Sequence, residues 1–222
     1  MPGSPEEKGF GQGDPALMRW AEQVFRPEDA VLREIRERSI REGLPAIAVG
    51  RFDGLHLEVI TRALGALKAV EIGTLGGYSG VCLLRGMGQH GVLHTFESSE
   101  KHARVATESF HKAGVASRAH IHVGKALTML REVEAEAPFD LVFIDADKVS
   151  YPAYLAWAAD HLREGGVLLA DNAFGFGEIH LPGGDEGRVA LCKFNEQLAQ
   201  GGRFRATMIP TAEGLAMGVR IR

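Results

Sequence analysis

Short apolar runs alternate with amphipathic segments along most of the chain. Strands are predicted at residues 69–72, 92–96, 120–123, 141–144 and 166–170. The run at 141–144 is apolar throughout, which is typical of a strand that is buried on both faces of a parallel sheet. The segments between the strands carry apolar residues at helical spacing, the pattern of βαβ units. The alternation therefore predicts an α/β fold with a doubly wound, mostly parallel sheet.

The N-terminal part of the chain carries helical patterns and no comparable strands. Helix starts are predicted at Asp14-Pro15 and at Pro27-Glu28, and a third helix is expected at about 54–67. Residues 1–13 are rich in glycine, proline and charge, which indicates a mobile tail. We expect the helices to cover one side of the sheet.

The C-terminal part predicts two closing strands, at residues 203–209 and 215–221, joined by a turn as in an antiparallel hairpin. No repeat or interdomain linker interrupts the chain. We therefore expect a single domain over residues 14–222, with helices at 14–67 and an α/β core at 68–222.

Composition and charge narrow the classes of function. The chain has 222 residues and a net charge of −4, which argues against a nucleic-acid partner. No stretch approaches the roughly 20 apolar residues of a membrane span. The two cysteines, Cys82 and Cys192, lie in apolar, helical segments and indicate no disulfide framework. A cytoplasmic location is the simplest prediction.

Two of the predicted strands end in side chains that carry oxygen. The run at 141–144 is followed by Asp145 and, after two residues, by Lys148, and the run at 166–170 is followed by Asp171 and Asn172. Ligands of open α/β sheets bind beyond the carboxyl ends of the strands, and such oxygen atoms suit a hard divalent cation. These residues could also be ordinary strand-end and capping residues. Two such ends together favour a binding site.

A glycine-rich turn follows the first predicted strand. Glu71 precedes Gly73, and Gly76-Gly77 completes the turn before a helix. Glycines there let a ligand approach the backbone, and Glu97 ends the next strand, where an acid binds ribose hydroxyls in dinucleotide folds. The spacing is not G-x-G-x-x-G, and Glu71 would face an anionic pyrophosphate. It would suit a cationic ligand such as the amino group of S-adenosylmethionine, although a turn that binds nothing is the alternative.

Four motifs together resemble a known family. In chain order they are E-I-G-T-L-G-G-Y-S-G, T-F-E, F-I-D-A-D-K and A-D-N. They are similar to the motifs of cation-dependent class I O-methyltransferases that use S-adenosylmethionine, a family that includes catechol and caffeoyl-CoA O-methyltransferases and many bacterial relatives. The resemblance runs from about Pro45 to the C-terminus. It implies one methyltransferase domain with a seven-stranded sheet whose last strand is antiparallel, and a homodimer.

The resemblance also implies roles for individual residues. Lys148 would be the catalytic base, with Asp145 beside it at the catalytic centre. The expected metal ligands are Asp145, Asp171 and Asn172, with Mg²⁺ as the expected ion. The positions expected to contact the methyl donor are Ile47, Val49, Glu71, Gly73, Tyr78, Ser79, Glu97, Ser98, Gly124, Ala126 and Asp145.

The implied reaction is methyl transfer from S-adenosylmethionine to one hydroxyl of a vicinal diphenol, a small phenolic substrate. One alternative is a tRNA hydroxyuridine methyltransferase of the same fold, against which the net charge and the lack of a Lys/Arg cluster argue. A second alternative is a non-catalytic protein that binds S-adenosylmethionine. The presence of Asp145, Lys148, Asp171 and Asn172 argues against that role.

Ala146 agrees with bacterial and plant relatives, where the animal enzyme has histidine, while three other positions depart from the commoner pattern. Lys125 stands where many bacterial relatives have aspartate, and Glu213 precedes Gly214 where aspartate is commoner. Gly175 stands where many relatives carry tryptophan, between Phe174 and Phe176. The last difference predicts a different pocket wall and a different acceptor.

Overall fold

Seven strands form one mixed sheet in the computed structural model, which describes residues 15–221. The predicted mobile tail at 1–13 and the predicted helix cap Asp14 lie outside the described residues. The strands are β1 (Lys68–Ile72), β2 (Val92–Glu97), β3 (Ala119–Val123), β4 (Phe139–Ile144), β5 (Leu162–Ala170), β6 (Phe204–Ile209) and β7 (Leu215–Arg220).

The sheet has the order β3-β2-β1-β4-β5-β7-β6. The first five strands pair in parallel, and β7 runs antiparallel to both β5 and β6. The predicted seven-stranded sheet, its antiparallel last strand and the closing hairpin are thus confirmed.

The helices are α1 (Pro15–Phe25), α2 (Ala30–Arg41), α3 (Arg51–Leu64), α4 (Tyr78–Gly86), α5 (Glu100–Lys112), α6 (Ala126–Met129), α7 (Tyr151–His161) and α8 (Glu186–Gln200). Short 3-10 turns occur at Ala116–Arg118, Leu130–Glu136, Lys148–Ser150 and Gly175–Gly177. Within residues 15–221, no helix has both the length and the apolar character needed to span a bilayer.

Helices pack on both faces of the sheet and create two hydrophobic cores. Val142 and Ile144 of β4 pack on one face with side chains from α7 and α8. Leu141 and Phe143 point to the other face and pack with α3, α4 and α5. All four side chains are fully buried, which explains the unbroken apolar run. The doubly wound arrangement predicted from the alternation is confirmed.

Several helix boundaries differ from the predicted ones. Helix α2 begins at Ala30 and not at Pro27-Glu28, because the Asp29 side chain caps it by accepting a hydrogen bond from Leu32 N (2.9 Å). Helix α3 begins at Arg51 and ends before Gly65, whose left-handed conformation stops it short of residue 67. Strand β5 begins at Leu162 and not at residue 166, and its register against β4 shifts near this start.

Candidate active site

A cavity of about 990 Å³ opens at the carboxyl ends of β1, β2 and β4. Most residues that the sequence singled out line it: Ile47, Val49, Gly73, Tyr78, Ser79, Glu97, Ser98, Gly124, Ala126, Asp145, Lys148 and Asn172. Glu71 and Asp171 lie in the wall behind these residues, both buried. The fold therefore brings the two strand-end clusters and the glycine-rich turn to one place.

The glycine-rich turn allows the ends of β1 and β4 to approach each other. Gly73 has a φ of +101°, and a β-carbon at this position would collide with the backbone oxygen of Asp145. Only glycine fits both the conformation and the space. Gly77, with a φ of +86°, precedes the first turn of α4 and lies against Ala106.

Glu71 is fully buried beneath the turn. Its carboxylate accepts hydrogen bonds from the hydroxyls of Ser79 and Thr95, each at 2.6 Å. Burial raises the pKa of Glu71 to about 7, against the lowering effect of these two bonds. Asp145 and Glu97 raise it further through charge repulsion. The side chain that reaches the cavity from this group is Ser79.

Glu97 is fixed at the edge of the cavity by backbone donors. Its carboxylate accepts hydrogen bonds from Leu75 N (2.8 Å) and Ser99 N (2.9 Å), and His102 Nδ1 lies 3.5 Å away. The first of these bonds joins the end of β2 to the glycine-rich turn. A carboxylate held in this way is preorganised to accept hydrogen bonds from a ligand.

The ends of β4 and β5 bring together three side chains that carry oxygen and one that carries an amine. Lys148 Nζ donates to Asp145 Oδ1 at 3.3 Å. Burial raises the pKa of Asp145, while Lys148 lowers it. Burial and the charge of Asp145 raise the pKa of Asp171 to about 7. Asn172 has a φ of +59°, and its side-chain amide donates to Glu213 and, at 3.4 Å, to Asp171 Oδ2.

A divalent cation at the ends of β4 and β5 would need oxygen ligands from these side chains. Among the described residues, no group of three or more histidine, cysteine, aspartate or glutamate side chains has the arrangement to hold a metal ion. The expected set has two carboxylates and an amide. Asp171 Oδ1 is buried without a hydrogen-bond partner, and a buried oxygen in this state favours a cation beside it. The residues thus fit a hard cation with oxygen ligands.

Several residues to which the sequence assigned no role line the cavity or lie behind its wall. Phe176 and Glu213 come from loops that follow β5 and β6, and Tyr154 comes from α7. Asp53, buried at the start of α3, raises the pKa of both Asp145 and Asp171 by its charge. The buried Tyr151 accepts a hydrogen bond from Lys148 Nζ through its hydroxyl. The spacing of three residues between Lys148 and Tyr151 could have predicted this contact, because one helical turn brings such residues together.

The strand order, the glycine-rich turn after β1 and the acid at the end of β2 define a class I methyltransferase that uses S-adenosylmethionine. The sequence profile of the O-methyltransferase family matches residues 22–221. The chain therefore belongs to this family, and it is a methyltransferase that transfers the methyl group of S-adenosylmethionine to oxygen.

Individual relatives agree with this assignment. The catechol O-methyltransferase of Mycobacterium tuberculosis (strain ATCC 25618 / H37Rv) is 39% identical over 184 residues, 83% of each chain. The catechol O-methyltransferase of Niastella koreensis is 32% identical over 200 residues, 86% of this chain and 90% of its own. The crystal structure of the O-methyltransferase from Bacillus cereus in complex with SAH has a TM-score of 0.87 and 35% identity, over 92% of this chain and 97% of its own.

Proposed function

We propose that this enzyme methylates one hydroxyl of a vicinal diphenol and that it requires a divalent cation, with Mg²⁺ as the expected ion. The observation that carries the proposal is the convergence of Asp145, Asp171, Asn172 and Lys148 beside the cavity. Two relatives that carry the name catechol O-methyltransferase support the choice of substrate.

We assign the larger part of the cavity to the methyl donor. Glu97 would accept hydrogen bonds from the ribose hydroxyls, because its carboxylate is already held by two backbone N–H groups. Ser98, Gly124 and Ala126 would border the adenine. The methionine part of the donor would lie between Ile47 and Val49 on one side and Gly73, Tyr78, Ser79 and Asp145 on the other.

Glu71 was expected to contact the donor directly. Its complete burial supports an indirect role, in which its carboxylate orients the Ser79 hydroxyl. Its negative charge would still favour the cationic groups of the donor at short range.

Lys148 is proposed as the general base that removes a proton from the acceptor hydroxyl. Lys148 lines the cavity, and its amine lies beside Asp145, where the acceptor would bind. Asp145, Asp171 and Asn172 would hold the cation, which when bound lowers the pKa of a phenol and orients its oxygen. The cavity walls hold acceptor and donor together, which supplies much of the acceleration.

We also propose a homodimer in the cytoplasm. Helix α1 has exposed apolar side chains at Leu17, Trp20 and Phe25, which a second subunit could cover. Both cysteines are free thiols, as expected in a reducing compartment. Light scattering on the purified protein tests the first point, and a monomer at micromolar concentration would contradict it.

The reaction is tested by transfer from labelled S-adenosylmethionine to a panel of small diphenols, with Mg²⁺ and with EDTA. Transfer that EDTA abolishes and that Mg²⁺ restores is the expected result. Asp171→Asn should lose the response to Mg²⁺. Asp160→Asn is the matched control, because Asp160 is exposed and pairs with Arg203 away from the cavity.

Two outcomes would contradict the proposal. Transfer that survives EDTA would exclude the cation and leave Asp145, Asp171 and Asn172 with structural roles. Transfer to tRNA, with none to any diphenol, would exclude the proposed acceptor.

A further inference from the structure

Tyr151 has an unusual position beneath the proposed base. It begins α7, its side chain is fully buried, and its ring packs edge-on against Phe194 with 5.2 Å between ring centroids. Its hydroxyl lies 2.7 Å from Lys148 Nζ. The same hydroxyl lies 3.1 Å from the backbone oxygen of Asp171 and 3.4 Å from that of Ile144. The proposed reaction has given this hydroxyl no role.

The direction of these hydrogen bonds follows from the chemistry of the groups. A backbone carbonyl oxygen can only accept a hydrogen bond, so the single hydrogen of the Tyr151 hydroxyl is directed to the carbonyl oxygens, of which Asp171 is nearer. The hydroxyl therefore meets Lys148 as an acceptor. The amine of Lys148 must be the donor in the bond at 2.7 Å.

This direction determines where the amine can accept a proton. A neutral lysine amine has two hydrogens and one lone pair. One hydrogen of Lys148 is donated to Tyr151 and the other is directed to Asp145 Oδ1, at 3.3 Å. The lone pair occupies the remaining tetrahedral position of Nζ. Because Lys148 lines the cavity, this position is the one available to a ligand there. Without the Tyr151 hydroxyl, Nζ loses the nearer of these two partners, and the amine can leave its place and present a hydrogen to the cavity in place of the lone pair.

We propose that Tyr151 is a positioning residue whose hydroxyl, held by the Asp171 carbonyl, directs the lone pair of Lys148 at the acceptor hydroxyl. This inference rests on the proposed function. In the step that it serves, the O–H bond of the acceptor breaks and an N–H bond forms at Lys148 Nζ. The oxygen keeps the electron pair and attacks the methyl carbon, and the sulfur leaves with the electrons of the broken C–S bond. Tyr151 exchanges no proton in this step.

The first test compares Tyr151→Phe with Phe194→Leu as the matched control. Tyr151→Phe removes the hydroxyl and keeps the ring, so kcat should fall about 10- to 100-fold because the base is misoriented. KM for both substrates should change less than about twofold, since no binding contact is lost. Phe194→Leu disturbs the packing of the same ring and keeps the hydroxyl. It should lower the temperature of unfolding and leave kcat close to the wild-type value.

The second test asks whether Tyr151 acts through Lys148. In a Lys148→Met background there is no amine to orient, so adding Tyr151→Phe should change the residual rate by less than about twofold. An equal loss of kcat in both backgrounds would overturn the proposal and make Tyr151 a merely structural residue.

A crystal structure of Tyr151→Phe supplies a readout that does not depend on turnover. We expect Lys148 Nζ to leave its place beside Asp145 in this variant and to keep it in Phe194→Leu. An unmoved Nζ in Tyr151→Phe would overturn the inference. A wild-type enzyme that methylates no diphenol would contradict the proposed function, and the crystallographic comparison would still decide whether Tyr151 holds the amine.

Discussion

Replacing Glu71 with glutamine should make the protein more stable at neutral pH. Glutamine has the size of glutamate and can keep the bond with Ser79, while its amide can donate to Thr95 where the carboxylate accepted. The substitution removes a charge that is completely buried. The charged form of Glu71 lacks a basic partner among the groups that shift its pKa, and Asp145 and Glu97 repel it.

The magnitude follows from the shift in the pKa of Glu71. In the unfolded chain this carboxyl has a pKa of 4.5, and in the folded protein the pKa is about 7. Between these values the folded protein binds more protons than the unfolded chain, so the free energy of unfolding falls as pH rises. A difference of 2.5 pKa units corresponds to about 3 kcal/mol, present below pH 4.5 and lost by pH 7 and above.

Urea unfolding of the wild-type protein and Glu71→Gln at pH 5 and at pH 8 measures this effect. Titrating groups that do not interact with Glu71 contribute equally to both proteins and cancel in the difference. The advantage of the glutamine variant should grow by about 2.5 kcal/mol from pH 5 to pH 8, because a small part of the effect is already lost at pH 5, above the unfolded pKa of 4.5. Parallel stability curves for the two proteins over this range would refute the reasoning, because Glu71 would then titrate alike in the folded and unfolded states.

Two further substitutions test the glycine-rich turn and the opposite end of the sheet. Gly73→Ala should abolish donor binding and lower the temperature of unfolding, because φ is +101° and a β-carbon would collide with the Asp145 backbone. Calorimetry with S-adenosylmethionine measures the affinity, and a retained affinity would contradict this prediction. Asp140 accepts hydrogen bonds from Leu67 N, Lys68 N and Arg163 Nε, at 2.8, 2.9 and 2.6 Å, so Asp140→Ala should cost about 1–3 kcal/mol of stability with kcat unchanged. The Arg163 bond and the two backbone bonds lower the pKa of Asp140 against the opposing effect of burial. Its contribution should therefore be present above the unfolded pKa of 3.8 and disappear as pH falls through the lower folded value, which urea unfolding at pH 6 and pH 3 would measure.

The ends of β4 and β5 were predictable because they depend on local sequence. A strand that is buried on both faces must be apolar at every position, as Leu141 to Ile144 are, and the first polar residue marks its end. Parallel strands end at one edge of a sheet, so Asp145 and Asp171 had to lie near each other. The pairing of Ile144 with Ala170 places them in equivalent positions.

The rest of the cavity could not be predicted in the same way, because it depends on packing between distant segments. Phe176 and Glu213 reach the cavity from loops whose course no local pattern determines. Glu71 illustrates a second limit. Its place before Gly73 was visible in the sequence, but its burial behind Ser79 depends on how α4 packs over β1. The start of α2 was misplaced because two capping signals, Pro27-Glu28 and Asp29, lie side by side.

The acidic groups around the cavity have an electrostatic cost that a cationic ligand can offset. Glu71 and Asp171 both have pKa values raised to about 7, and each is raised partly by Asp145. A site selected only for stability would not bring buried carboxylates together. Removing each charged carboxylate from water costs free energy unless a positive charge lies near it. Lys148 lies 3.3 Å from Asp145 and offsets part of this charge when its amine is protonated. The remaining negative charge suits a cationic ligand, and S-adenosylmethionine, with its sulfonium and ammonium groups, is such a ligand. Binding of the cationic donor would therefore offset the electrostatic cost that these buried carboxylates have in the empty enzyme.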